Sequence, residues 1–408
     1  MAEQMIAEPV APPAAEPASG FAFAGGRLRS IDALRGLAAI GVVLFHARQA
    51  AGDPISWLDR LAYGAVFFGR YGVWLFFVIS GFCIHMRWAK QRQTDPEARI
   101  EFVSFWKRRF RRLYPPFLAA FILYIALLHR EGLAWTGTTL WRMGLNLFML
   151  GNLDPGALNA INGVFWTLAI EEQLYLAYFV LLALRVRFGW RAALTVAIAA
   201  RAVWYAMAMV LHRAAGLDIL VTQAVASQWS IWALGAVAVE AALGLVRLPA
   251  WTRNGWIGTG VLAAAALNTC AYAFWITGTP AGDVCWLIGD LVWGLGFFIW
   301  VNCAVAVERR WNLANHVPRM AAWCASLGVF SYSLYLTHQL LVEHLWPMAV
   351  KRLPALSGLP PVAGMLSLAG LSVLFAWGFF IVFERPFLSG SRRSAKAATS
   401  RVSEPVAG

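Results

Sequence analysis

The chain has 408 residues, of which 60% are hydrophobic, 14% aromatic and only 13% charged. A soluble domain is about 45 to 50% apolar and about a quarter charged, so this chain cannot clothe a globule in polar surface and the bilayer is its expected solvent. The net charge of +13 raises nucleic-acid binding, but the placement of that charge along the chain argues against it.

Residues 1 to about 26 are rich in Ala, Pro and Glu, with no Arg or Lys before Arg27. They read as a disordered tail rather than a signal peptide. Ten stretches meet or approach the roughly 20 apolar residues that a spanning helix needs: about 31–50, 66–86, 113–129, 164–184, 192–211, 227–246, 255–276, 285–306, 326–349 and 362–383. An eleventh, Trp141 to Gly151, is too short and is expected to be re-entrant or interfacial. Residues 389–408 read as a basic disordered tail, which leaves 27–388 as one membrane domain. If both termini are cytoplasmic, 24 of the 34 Lys and Arg fall on the cytoplasmic side, 8 on the outer side, and Arg35 and Arg201 within spans. Cytoplasmic loops retain positive charge, so the expected fold is all-α, with about ten transmembrane helices. The same distribution explains the basic pI as topology. The five cysteines form no CxxC or Cys/His pattern, and neither a disulfide frame nor a metal site is expected.

An ionisable residue inside a membrane helix costs about 2.5 to 3.5 kcal/mol on insertion scales and usually faces a cavity or a partner. The first span holds Asp32, Arg35 and His46, with Ser30 placed to act as its N-cap. Eleven residues separate Arg35 from His46, which is three turns plus roughly 20° and a rise of roughly 16 Å, so both share a face. For Arg35 the alternative is snorkelling or pairing with Asp32; for His46 it is an interfacial position. Glu171 in the fourth span is expected at the depth of His46, where a carboxylate would orient the imidazole. Asp290 either joins that cavity or makes a polar contact between helices, and Arg201 has no partner legible in the sequence. The segment FWKRRFRRLYPP, residues 105–116, is either a topology signal with headgroup contacts or a site for a phosphate-rich ligand. Ser80 and Gly81 read first as a packing pair. Tyr335 and His338, three residues apart, either line a polar cavity or bond between helices.

These segments resemble the acyltransferase-3 family of membrane acyltransferases over about residues 28 to 386. The carriers, in order, are IDALRGLAAIGVVLFH with Arg35 and His46, FFVISGF, RRFRRLYP with Arg108, Arg109 and Arg112, WTLAIEEQLYL with Trp166 and Glu171, and SYSLYLTHQ with Tyr335 and His338. The resemblance implies transfer of an acyl group, often acetyl from acyl-CoA, to a hydroxyl of a sugar, a glycan or a glycosylated small molecule, at a bacterial inner membrane. It implies His46 as the catalytic histidine, assisted by Glu171, and Arg35, Arg108, Arg109, Arg112, Trp166, Tyr335 and His338 as donor- or substrate-binding residues. No tightly bound cofactor is expected, since a thioester is already activated. Many relatives carry an added hydrolase-like domain, so without one the membrane body is expected to finish the reaction or pass the group to a separate protein. The rival class is a transporter or flippase, with Arg35, His46, Glu171 and Asp290 lining a path.

Overall fold

In lipid, every backbone N–H and C=O must be satisfied inside its own segment. The computed structural model describes residues 28–216, 222–277, 279–311 and 318–388, and the described residues are helical with no strand. In chain order the helices are α1 (Arg29–Ala50), α2 (Trp57–Phe67), α3 (Gly72–Thr94), α4 (Phe102–Arg130), α5 (Gly137–Leu147), α6 (Phe165–Ala215), α7 (Val225–Ala242), α8 (Gly255–Ala271), α9 (Pro280–Trp311), α10 (Arg319–Val329), α11 (Ser331–Gln339), α12 (Trp346–Arg352), α13 (Pro354–Ser357), α14 (Pro361–Phe379) and α15 (Arg385–Leu388). Seven helical runs, α2 and α3 counting as one, are long and apolar enough to cross a membrane. Their outer faces expose Val180, Leu267, Phe274, Trp275, Leu374 and Trp377, a surface suited to acyl chains rather than water. The chain is thus an all-α, multi-pass membrane protein. The tails expected at 1–26 and 389–408 lie outside the described residues.

Several expected boundaries move. The stretch 66–86 belongs to the longer run Trp57–Thr94. The third span begins at Phe102, so the basic segment forms the opening turns of α4. The stretches 164–184 and 192–211 join in α6, 51 residues long and interrupted at Gly189, where φ is +80° and ψ 176°. At about 1.5 Å per residue an unbroken helix of that length would run about 76 Å, over twice the ~30 Å hydrocarbon core. Gly189 occupies a backbone region open essentially to glycine alone, and it ends one crossing and starts the next. The stretch 326–349 divides at Phe330 into α10 and α11. The short piece expected at 141–151 overlaps α5, an amphipathic and mostly half-buried helix of 11 residues.

Two long-range features hold the site helices. Ser30 does not cap α1, whose N-cap is Leu28 without a side-chain bond. The opening N–H groups of Arg29 and Ser30 instead donate to the Glu308 carboxylate of α9, each at 2.9 Å, and the Ser30 hydroxyl donates to it as well. A carboxylate at a helix start satisfies orphan donors and favours the helix dipole. Where α3 crosses α7, a Cβ on Gly81 would strike the Trp232 carbonyl, and one on Gly235 the Val78 carbonyl. Such backbone contact is how helices associate without a hydrophobic drive between them, and it brings Trp232 Nε1 to within 3.2 Å of the Ser80 hydroxyl.

Two buried charge networks fill the rest of the bundle. Arg201 of α6 donates to the carbonyls of Leu287 and Ser227, to the Tyr205 hydroxyl at 2.7 Å and to Asp290 of α9 at 3.4 Å. Asp290 therefore makes a contact between helices and does not join a cavity with His46 and Glu171. Glu240 of α7, fully buried, accepts from His85 Nε2 at 2.9 Å, Trp190 Nε1 at 2.9 Å and Arg185 through two nitrogens.

Candidate active site

The inner cavity is built from residues three or four apart on successive helices, a spacing that keeps each pair on one helix face. Arg35 of α1, Ser80 and Cys83 of α3, Arg109 and Arg112 of α4, Glu171 and Tyr175 of α6, and Tyr332 and Tyr335 of α11 line a space of about 110 Å³. Glu171 is fixed there by two donors on one oxygen, the Ser80 hydroxyl at 2.7 Å and the Tyr175 hydroxyl at 2.5 Å. Arg109 lies over the rings of Phe105 and Tyr175, and its Nε is buried without a hydrogen-bond partner. Among the described residues, none of Arg35, Arg109 and Arg112 has a carboxylate within ion-pair distance. Three guanidiniums against one carboxylate give the cavity a positively charged wall, whose chemistry suits an anionic or carbonyl-rich ligand.

His46 lies beyond this cavity, toward the end where α1 stops. Its partner is His338 of α11, fully buried, with Nε2 at 3.1 Å from His46 Nδ1. The contacts of His338 fix the tautomers of both rings. His338 Nδ1 faces the carbonyls of Leu334 at 3.1 Å and Tyr335 at 2.8 Å, and carbonyls only accept, so Nδ1 carries the hydrogen. In a neutral ring Nε2 is then an acceptor, and His46 must donate to it from Nδ1. His46 Nε2 is left with a free lone pair, as a general base or nucleophile requires.

A second cavity of about 640 Å³ opens at the α1 C-terminal end, between α2 and the last turns of α8, and includes Arg48, Arg60, Phe67 and Phe68. A row of packed rings runs from one space to the other. Phe76 and Tyr335 wall the inner cavity with centroids 5.8 Å apart, Tyr335 lies 5.7 Å from His338, His338 5.1 Å from His46, His46 5.0 Å from Phe45, and Phe45 6.2 Å from Phe67 of the outer cavity. The imidazole pair stands between them.

The structure brings Arg35, Arg109, Arg112, Glu171 and Tyr335 to one cavity, and separates the rest. Glu171 does not orient His46: its bonds go to Ser80 and Tyr175, and equal depth in the membrane does not fix which way a side chain turns. His338 takes the orienting position instead of lining the cavity. Arg108 is exposed on the outer side of α4, and Trp166 packs in the core while its neighbours Thr167 and Leu168 reach the wall. Tyr335 bonds the Thr167 hydroxyl at 2.7 Å. Sequence reasoning missed Tyr175 and read Ser80 first as a packing residue; the spacing of Glu171 and Tyr175, four residues apart, was the available signal.

Comparison with known proteins gives the class: the profile of the acyltransferase domain, acyltransferase-3 type, matches residues 28–381. The chain belongs to this family of acyltransferases. It is 29% identical over 164 residues to the O-acetyltransferase OatA of Staphylococcus aureus, a match spanning 37% of this chain and 24% of that protein. It is also 29% identical over 163 residues to the peptidoglycan O-acetyltransferase OatA of Listeria monocytogenes, spanning 36% and 23%. The matched region is thus about a quarter of the length of these relatives. No solved structure matches the chain.

Proposed function

We propose that the protein is an O-acyltransferase of the bacterial cytoplasmic membrane, with ten crossings and both termini in the cytoplasm. It moves an acyl group, acetyl in the simplest case, from acyl-CoA to a hydroxyl of a sugar or glycan-type acceptor. The observation that carries this reading is the free Nε2 of His46, held in that state by His338 and standing between two cavities. The three-to-one bias of Lys and Arg supports an orientation in which the arginine-lined cavity faces the cytoplasm, where acyl-CoA is found. The exposed opening turns of α4, including Arg108, would meet the nucleotide phosphates, and Arg35, Arg109 and Arg112 the phosphates and amides of the pantetheine arm. Arg35 lies roughly 16 Å below His46 along α1, and an extended arm spans such a gap.

In the transfer step, His46 Nε2 takes the proton of the acceptor hydroxyl as its oxygen attacks the thioester carbonyl. The C–O bond forms, the C–S bond breaks, and the CoA thiolate leaves and is protonated from the imidazolium. Nδ1 keeps its hydrogen bond to His338 throughout. The peptidoglycan acceptor named for the Listeria relative supports a glycan acceptor here. The opposite placement of the two cavities favours a second reading, in which Nε2 first takes the acyl group from the inner side and then gives it up to the outer side.

The test is transfer of labelled acetyl from acetyl-CoA to a panel of glycan acceptors by purified protein in detergent. His46→Ala is expected to lower the rate by about 10² to 10⁴ while the protein remains folded. Unchanged turnover would remove His46 from the mechanism, and a labelled adduct on His46 trapped without acceptor would select the two-step route.

A further inference from the structure

The outer cavity carries a feature the transfer chemistry does not use. The Arg48 guanidinium lies over the rings of Phe45 and Phe67 at 5.0 and 5.1 Å, and the Arg70 guanidinium lies over the same two rings at 5.4 and 5.9 Å. A cation over an aromatic face is favourable by itself, but two cations on the same pair of rings repel each other. Among the described residues neither has a carboxylate within ion-pair distance, and Arg48 Nε is buried with no hydrogen-bond partner. The cavity wall holds Arg48, Arg60 and one acidic residue, Asp53, and Arg70 stands next to it over the ring of the wall residue Phe67. Arg48 lines the cavity with one donor unfilled, and the exposed Arg70 shares its two rings beside the wall; guanidiniums gathered this way have the form of a clamp awaiting an anion.

From these contacts we infer that the outer cavity is the acceptor site and that it selects a saccharide bearing a carboxylate, held by Arg48 and Arg70. This rests on the acyltransferase reading above and narrows its acceptor class. A volume of about 640 Å³ falls in the range of about 300 to 1,000 Å³ usual for small-molecule sites. Its wall mixes the aromatic faces of Phe67, Phe68 and Phe274 with Gln49, Asp53 and Thr269, so sugar rings have surfaces to stack on and their hydroxyls have partners. Phe45 touches the imidazole of His46 on one side and Arg48 on the other. The acylated hydroxyl therefore lies about one ring away from the carboxylate, on the same sugar or the next.

The experiment is equilibrium binding to the full chain in neutral detergent, without donor, by titration calorimetry. The probes are a glucuronic acid-containing disaccharide, its neutral methyl ester, inorganic phosphate, and phosphatidylglycerol added to the micelles. The uronate is expected to bind at least about tenfold tighter than the ester, as charge-assisted bonds imply. Arg48→Gln with Arg70→Gln should erase that difference while acetyl-CoA affinity at the other cavity is retained, which reports a folded protein. Arg48→Lys with Arg70→Lys should restore part of the preference, with greater salt sensitivity. Equal affinity for uronate and ester, binding of neither, or a preference that survives the double Gln substitution would overturn the inference. Capture of phosphate or phosphatidylglycerol alone, with the same arginine dependence, would also overturn it and assign the clamp to those anions. If the enzyme transfers acetyl equally to neutral and charged acceptors, only this inference fails; if it transfers to none, the acyltransferase reading fails instead.

Discussion

Around Glu240 and Arg201, buried charge is matched bond for bond: the carboxylate of Glu240 is surrounded by His85, Arg185 and Trp190, and the guanidinium of Arg201 by two carbonyls, a hydroxyl and Asp290. Around the inner cavity the same residue types are left unmatched, with Arg35, Arg109 and Arg112 facing a space that a single carboxylate shares. Both sets sit in membrane helices and look alike in sequence. The difference lies in how many donors and acceptors are already satisfied. A satisfied network locks helices together, whereas an unsatisfied one waits for a ligand, because the desolvation of its charges is repaid only when that ligand arrives.

The largest effect that would break this contrast is on stability. Glu240→Ala leaves the donors of His85, Arg185 and Trp190 buried and unpaired, and removing one partner of such a set costs about 3 to 5 kcal/mol. The expected outcome is a marked fall in thermal stability in detergent, with Arg185→Met in the same chain recovering part of the loss. A Glu240→Ala protein as stable as the parent would mean that the matched network is not structural. Next in size is His338→Gln, which removes the imidazole acceptor that holds His46 in its Nδ1–H form. Partners that orient metal-bound imidazoles are typically worth about 10- to 100-fold, and a fall in kcat of similar size is expected here while the KM for acetyl-CoA stays level. A rise in KM with kcat preserved would place His338 in donor binding, as its position in the sequence motif first implied.

What was legible in the sequence followed from one-dimensional periodicity. The apolar stretches rest on helical rise and rotation within one segment, which the backbone fixes, whereas the place of Arg109 and Arg112 at the cavity was implied only by the family resemblance. Pairings between segments were not legible. Asp290 and Arg201 were both marked as costly, yet 89 residues separate them and nothing local says that their helices touch. Glu308 closes the start of α1 from a distance of 278 residues. Glu171 and His46 were matched by depth alone, and it is rotation about each helix axis that sends Glu171 to Ser80 and His46 to His338. The π-helical turns at Tyr272–Ile276, Leu340–Leu345 and Phe380–Glu384 leave no trace in hydropathy, because they keep the same apolar residues and change only the register.

The smallest effect sharpens the contrast most. Arg112 faces the inner cavity and has no ion-pair partner among the described residues, so Arg112→Gln removes a charge that no protein carboxylate pairs with directly. Stability should be unchanged or slightly raised, the opposite of Glu240→Ala, because an uncompensated charge in low dielectric is itself a cost. The loss should appear in the donor: the KM for acetyl-CoA should rise by about tenfold, the worth of one or two charge-assisted bonds, with little change in the KM of the acceptor. Arg112→Lys keeps the charge without the paired donor geometry and should fall between, with a defect that deepens as salt is added. A destabilised Arg112→Gln protein with normal donor KM would show that the cavity arginines are structural after all. The distinction between matched and waiting charge would then no longer identify the site.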